Sequence, residues 1–324
     1  KPETFLNYIP NALNDMDHPS GDGPNSWVVS KFTRKQGVKM VFSGLGGDEL
    51  FAGYKSFKRL KKLNDFKFIQ NSPNFLKNIM SKSINTLNPN LAAAKIENLL
   101  KMKKYDFKEN YLLTRQSLLD SQLNKILKPK YYHSNINDRI LINDYGFDNS
   151  HFISKVSTAE FDSYMNNVLL RDTDQMSMAH GLETRVPFLD NDLVDFSQRI
   201  PVNMKLGNLK NIIRMDENEI GKTQKTNDGK IILRKAMKKY IPKDIHKAVK
   251  QGFSSPDQSW FKGESINFVK SKLLNDNANI CKYMDRASTQ KLVNEHLNGE
   301  QNRRLFIWSL LNFEEWNDIY GCHD

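Results

Sequence analysis

The chain has 324 residues, 39% hydrophobic and 26% charged, enough to bury one large core or two ordinary ones and too apolar for wholesale disorder. No run approaches the roughly 18 apolar residues of a membrane span, and the opening Lys1-Pro-Glu-Thr-Phe-Leu6 lacks a signal-peptide core. The net charge of +11 is regional: residues 51–130 hold 17 Lys and Arg against 5 Asp and Glu, and everything else sums to −1.

Taken in chain order, Phe5, Leu6, Ile9, Leu13 and Met16 recur at helical spacing over 3–16, and the breakers of His18-Pro-Ser-Gly-Asp-Gly-Pro24 end that helix. A second helix is predicted over 25–36, with Asn25 or Ser26 as N-cap and Gly37 as terminator. Val38-Lys-Met-Val-Phe42 reads as a short buried strand. Helix, turn, strand and glycine-rich loop in this order fit an open parallel sheet. From Leu50 to about 130 the pattern is helical, broken at Ser72-Pro73 and Asn88-Pro89, and 131–157 shows no clear period.

A long helix over Thr158–His180 is expected to stop at Gly181, followed by the extended segment Leu182–Asp190. Asp190 fits the N-cap of a helix over 191–199, which Pro201 closes. Residues 203–229, rich in Asn, Gly, Thr and Lys, read as a mobile loop. Helices near 230–240, 263–275, 286–297 and 302–320 complete the chain.

The chemistry concentrates at Ser43-Gly-Leu-Gly-Gly-Asp-Glu-Leu-Phe-Ala-Gly-Tyr54. Glycines at the carboxyl end of a strand let the main chain approach a ligand with its N–H groups free. Asp48 and Glu49 would repel a phosphate unless a cation stood between, which points to magnesium bridging to phosphate oxygens. The alternative is that the two acids only favour the positive end of the helix that follows. Neither the Walker lysine loop nor the dinucleotide fingerprint is present. Two cysteines, Cys281 and Cys322, fit a reducing cytosol, and the seven histidines show no zinc spacing.

This stretch resembles the SGxGxDExxxGY signature of the synthetase half of glutamine-dependent asparagine synthetases. Two further blocks follow in family order: Leu170-Arg-Asp-Thr-Asp-Gln-Met-Ser-Met-Ala-His-Gly-Leu-Glu-Thr-Arg-Val-Pro-Phe-Leu-Asp190, and Gly229-Lys-Ile-Ile-Leu-Arg-Lys-Ala-Met237 with Ile241-Pro242 and Lys250-Gln-Gly-Phe253. The resemblance implies a helix-rich α/β fold with an ATP pyrophosphatase-type parallel sheet and a helical C-terminal part. It also implies ATP and Mg2+, a carboxylate acceptor with aspartate leading, glutamine-derived ammonia and a cytoplasmic location, and it admits a homodimer. By it, Ser43, Gly44 and Leu45 hold nucleotide, Asp48 holds magnesium, Lys250 and Glu49 are catalytic, and Glu183, Arg185 and Asp190 lie near the acceptor.

Each position also has a plainer reading. Lys250 is one lysine among many; Glu183 and Arg185, two apart in an extended segment, are suited to pairing with each other; Asp190 fits a helix cap; Asp172 and Asp174 fit bonds to neighbouring backbone or to Arg171. Three departures from the family pattern stand out. Without an initiator Met, a cysteine-led glutaminase domain or a Ser-Gly-Gly-x-Asp-Ser pyrophosphate loop, residues 1–324 read as a synthetase-domain fragment, inactive alone. Leu45 stands where typical members carry an acid, as in a subgroup that includes amidotransferases of acidic sugars; a β-lactam-closing enzyme is a further alternative. Ala248 stands where many members have arginine. The rival of another class is a non-catalytic basic module binding nucleic acid through Lys58, Lys61, Lys62 and Lys103. Without an RNA-binding aromatic signature or a zinc finger, nucleic acid is the weaker partner, and no membrane partner is expected.

Overall fold

The computed structural model describes residues 5–65, 67–70, 72–87, 91–102, 105–132, 152–207, 229–247 and 264–321. It is a helix-rich α/β structure. Helix α1 (Ile9–Asn14) is shorter than its apolar period and carries Pro10 in its first turn, where a missing N–H costs nothing. Helix α2 (Gly23–Lys35) begins before the expected Asn25 or Ser26, because Pro24 also serves as a first-turn residue. Asp22 occupies the cap position without capping, since its carboxylate accepts from Tyr164 Oη at 2.5 Å. Gly37 ends this segment as predicted, with φ +82° and its N–H returned to Arg34 O at 2.9 Å.

Strand β1 (Met40–Phe42) pairs in parallel with β2 (Glu183–Arg185), Met40 opposite Glu183 and Phe42 opposite Arg185. The expectation of a buried strand is corrected: Val38, Met40 and Phe42 are exposed, Phe42 by 69%. Among the described residues the sheet has these two strands alone, and Phe42 at the end of β1 is its most exposed side chain.

After the glycine-rich loop come α3 (Gly47–Leu50) and α4 (Lys55–Asp65), in which Phe57 and Leu60 are fully buried between half-exposed Lys58, Arg59, Lys61 and Lys62. Each of those two anchors contributes roughly 1.5–3 kcal/mol of burial. Helices α5 (Lys67–Gln70), α6 (Asn74–Leu87), α7 (Leu91–Lys101), α8 (Phe107–Arg115) and α9 (Asp120–Ile126) follow. Asp106 caps α8 by accepting from Glu109 N at 2.8 Å.

The long helix predicted over 158–180 starts earlier, at Phe152, and changes register inside: α10 (Phe152–Glu160) runs into a π-helical stretch (Phe161–Leu170) and out into α11 (Arg171–Met178). Gly181, φ +63°, ends it as expected. The rest comprises α12 (Asn191–Gln198), α13 (Val202–Lys205), α14 (Ile231–Met237), α15 (Lys243–Lys247), α16 (Glu264–Leu273), α17 (Ile280–Tyr283), α18 (Arg286–Leu297) and α19 (Arg304–Tyr320). Of the predicted 203–229 loop, residues 203–205 close α13, and 208–228 lie outside the described residues.

The largest core joins the two ends of the chain: Ile9, Leu13, Met16 and Trp27 pack with Val269, Ile280, Phe306, Ile307 and Leu311. Trp308 Nε1 donates to Gly21 O at 2.6 Å across this seam. A second core sets Ala52, Phe57 and Leu60 against Tyr111, Phe152, Val156 and Leu206, and a third holds Leu50, Phe51 and Ile200. The glycine-rich loop and α3 are therefore held between two packed cores, the condition for fixing a site.

Candidate active site

The loop between β1 and α3 is anchored at both ends. Ser43 N donates to Arg185 O at 2.8 Å, and Leu45 N donates to Ser43 Oγ at 3.3 Å, closing a turn over the strand end. Gly46 takes φ +89°, and a Cβ there would lie 2.6 Å from Leu189. At Gly44 a Cβ would meet nothing within 4 Å. The loop is thus packed behind, on Phe188 and Leu189, and open in front.

Past the loop the backbone folds back tightly. Ala52 (φ +54°) and Lys230 (φ +57°) are the described non-glycine residues with positive φ, a conformation costing on the order of 1 kcal/mol or more apiece. Lys230 N donates to Phe51 O at 2.9 Å. A Cβ on Gly229 would lie 2.5 Å from Ala52 O; one on Gly53 would lie 1.8 Å from Asp48 Oδ1 and 2.6 Å from Lys230 Cε. Two glycines placed against each other are what let the Lys230 ammonium reach Asp48 Oδ2, at 3.1 Å. Backbone strain is thus concentrated beside this charged pair. The sequence alone assigns Lys230 no role; its one signal there is a Gly-Lys step at the start of a helix.

Glu49 points the other way. It is 1% exposed and accepts from Tyr54 Oη at 2.5 Å, while its carbonyl accepts from Ser157 Oγ at 2.7 Å. Burial pushes the Glu49 carboxyl above the ordinary carboxylate range, against the Tyr54 hydrogen bond, and burial together with the Glu49 charge pushes the Tyr54 phenol up. Tyr54 leans edge-on to Tyr164, whose hydroxyl holds Asp22. The Arg115 guanidinium lies over both rings, 5.4 Å and 4.9 Å from their centres, and pairs with fully buried Glu160. Glu49 therefore belongs to a polar spine beneath the loop, and Asp48 to its accessible side.

A second buried carboxylate, Asp172, accepts from Ser20 Oγ and stands 3.4 Å from His18 Nε2; His18 Nδ1 meets Asp17 at 2.5 Å. The expectation that Asp172 only bonds nearby backbone or Arg171 is corrected: α11 brings it, 1% exposed, against the 18–22 turn. Burial first, then the Asp22 charge, push its carboxyl up to about 6, while Ser20, His18 and Arg171 pull the other way.

The remaining predicted positions have local partners of their own. Glu183 and Arg185, on β2, are each 58% exposed at the side chain and pair with each other at 2.8 Å. Asp190 caps α12, accepting from Asp192 N at 3.1 Å and Leu193 N at 3.2 Å. Phe188 and Leu189, between them, form the back wall of the loop. Lys250 and Ala248 lie outside the described residues.

Asp48 and Lys230 together present one carboxylate, 21% exposed, beside one ammonium. That pairing suits a magnesium-bound phosphate: the carboxylate can ligate the metal and the lysine can turn to a phosphate oxygen. Among the described residues no group of three or more His, Cys, Asp and Glu is gathered to hold a metal. Asp48 would then be one ligand among phosphate and water oxygens, as is usual for Mg2+.

Residues 1–318 match the family model described as asparagine synthase. An asparagine synthetase (glutamine-hydrolyzing) 1 of Bacillus subtilis is 26% identical over 98% of this chain and 46% of its own length. A putative asparagine synthetase (glutamine-hydrolyzing) of Mycobacterium bovis is 24% identical over 99% of this chain and 46% of its own. The amidase chyE of Penicillium rubens is 24% identical over 86% and 41%. The chain spans about half the length of the curated relatives it matches.

Proposed function

The chain belongs to the asparagine synthase family, and from that premise we propose that it provides the synthetase part of a carbon–nitrogen ligase. The reaction is ATP-dependent amidation of a carboxylate through an acyl-adenylate, with aspartate as the leading acceptor. The observation that carries this reading is the contact of Lys230 with Asp48 across the Gly53–Gly229 approach, beside a loop with open space at Gly44. A carboxylate oxygen is a poor leaving group, so it is exchanged for AMP, and pyrophosphate departs with growing negative charge. Mg2+ would supply charge neutralisation at those phosphate oxygens.

The chain's own residues do the rest. Asp48 would hold the metal, and Lys230, freed from Asp48, would meet a phosphate oxygen. Ser43, Gly44 and Leu45 would line the nucleotide through backbone N–H groups. Glu49, fixed by Tyr54, keeps α3 in place so that Asp48 faces outward. Glu183, Arg185 and Asp190 are proposed for the acceptor side, and Lys250 for the reacting oxygens. An ATP pyrophosphatase-type sheet is the proposed frame, with β1 and β2 as two of its strands. A pyrophosphate loop and a glutaminase domain outside these residues would complete the enzyme, and a cytoplasmic location is part of the same reading.

Leu45 supports a second acceptor class. A leucine can neither carry a proton nor hydrogen-bond an amine, so an enzyme built this way has its acceptor chemistry altered at that position. Amidation of an acidic sugar is the resulting alternative. ATP–pyrophosphate exchange, measured on the enzyme together with its glutaminase and pyrophosphate-loop portions, separates the two. Exchange dependent on aspartate supports asparagine formation; exchange only with a uronic-acid nucleotide sugar replaces it with sugar amidation; exchange with no carboxylate at all refutes adenylation.

A further inference from the structure

The turn of residues 17–22 carries a polar cluster that the proposed mechanism leaves unused. Its centre is Asp172 on α11, 1% exposed. One carboxylate oxygen, Oδ2, accepts from Ser20 Oγ, and Ser20 Oγ accepts in turn from Asp22 N at 3.4 Å, so this carboxyl ties the turn to α11. The other oxygen, Oδ1, stands 3.4 Å from His18 Nε2. Both atoms are buried, and among the described residues neither has a hydrogen-bond partner. Two orphaned valences that face each other inside a fold are costly unless something joins them. At this separation the gap admits a proton and nothing larger.

The far side of the imidazole fixes what that proton does. His18 Nδ1 meets Asp17 Oδ1 at 2.5 Å, and Arg171 Nη2 meets the same oxygen at 2.9 Å. His18 and then Arg171 hold the Asp17 carboxyl down to about 2, so it is an anion that accepts Nδ1–H. With Nδ1 the donor, Nε2 keeps a lone pair unless the ring takes a second proton. One proton between Nε2 and Oδ1 therefore satisfies both atoms, whichever of them holds it. Without it a carboxylate oxygen faces an imidazole lone pair. Asp22, fixed by Tyr164 Oη at 2.5 Å, adds negative charge from the same turn, and Arg171 opposes it from α11. Burial first, then the Asp22 charge, hold the Asp172 carboxyl up at about 6, so the joining proton leaves as pH rises through that value. His18, 22% exposed at the side chain, gives it a path to water. We propose that the 17–22 turn is a proton-operated latch, shut on α11 while one proton joins His18 to Asp172 and released when that proton passes to solvent. Release would loosen the seam between the two ends of the chain, because Trp308 Nε1 donates to Gly21 O at 2.6 Å within the same turn. The latch stands independently of which carboxylate is amidated.

The test is hydrogen exchange at the tryptophan indoles of the full chain, followed by NMR from about pH 5 to about pH 8, each rate divided by that of free tryptophan at the same pH. The Trp308 indole should lose protection by roughly tenfold or more over that range, and by at most about a hundredfold, the limit set by a carboxyl raised from 3.8 to about 6. Trp27, whose indole donates to Asp15 Oδ2 at 2.6 Å and not to the turn, should change by less than about twofold. Asp172→Asn cannot ionise, and its amide N–H can stand permanently where the proton was, so it should hold Trp308 protection flat. His18→Phe removes the lone pair and should shrink the loss. A melting curve on each variant confirms folding; should the asparagine variant fail to fold, the parent alone decides through Trp308 against Trp27. Protection of Trp308 that does not change with pH, or an unchanged pH response in Asp172→Asn, would overturn the proposal. So would an equal loss at Trp27, because the whole fold would then be opening and not the turn.

Discussion

At the turn of residues 43–54, Asp48 meets Lys230, distant in sequence, and Glu49 meets Tyr54, whose ring leads through Tyr164 to Asp22 on another helix. At the strand end, residues 183–190, carboxylates are spent within three positions, Glu183 on Arg185 and Asp190 on the first N–H groups of α12. The first arrangement needs two non-glycine residues at positive φ and two glycines in contact, whereas the second is met by an extended segment and a helix start. Strain therefore accompanies the Asp48–Lys230 pair, distant in sequence, and none accompanies the Glu183–Arg185 pair of near neighbours. That difference sets the proposed site apart from a segment whose charges serve local structure.

Substitution can break the comparison. Asp48→Asn should lower adenylation by roughly a thousandfold or more while leaving the melting temperature near its parent value; magnesium-dependent turnover at the parent rate would remove Asp48 from the site. Gly53→Ala should cost about a hundredfold, because the new methyl group must push either the Asp48 carboxylate or the Lys230 stem aside. Full activity in that variant would mean that the Asp48–Lys230 contact is dispensable.

Asp172 offers a pH test at a third carboxylate. Its folded-state pKa of about 6 lies above the ordinary 3.8, so the stability it lends is fully present below about pH 4 and is lost as pH rises through 6. Asp172→Asn keeps an acceptor for Ser20 and cannot ionise. Urea denaturation from pH 4 to 7 should show the variant gaining on the parent, by on the order of 2–3 kcal/mol across that window. Parallel pH profiles would mean that Asp172 titrates normally. At the strand end effects shrink: Asp190→Ala should cost about 1 kcal/mol through the lost cap, and Glu183→Gln less than about 0.5 kcal/mol. Loss of acceptor-dependent exchange from Glu183→Gln, with stability unchanged, would move that residue into the chemistry.

The same contrast explains what could be read in advance. Gly37 and Gly181 as stops, Asp190 as a cap, the Glu183–Arg185 pair and the alternation of anchors and lysines on α4 all depend on neighbours within a turn, and so were legible. The exposure of Phe42 was not, because β-branched and aromatic residues mark a strand without saying whether another layer covers it. The start of α2 was misplaced because Asp22, a natural cap, is claimed by Tyr164 from another helix. Lys230 passed without a role because its meaning lies in a contact with Asp48 that no spacing encodes. For Lys250, legibility rests on family resemblance alone.

The π-helical stretch at Phe161–Leu170 has a consequence for how this chain tolerates change in length. A wider coil shifts the angular phase of everything after it, so α10 can turn Val156, Ala159 and Glu160 toward α4 while α11 turns Asp172 and Met176 toward the 18–22 turn and α2. Deleting one residue there and letting an ordinary helix re-form would rotate the downstream half by about 100°. One half could then keep its berth only by unseating the other, which makes this rod the segment least able to absorb an insertion or deletion.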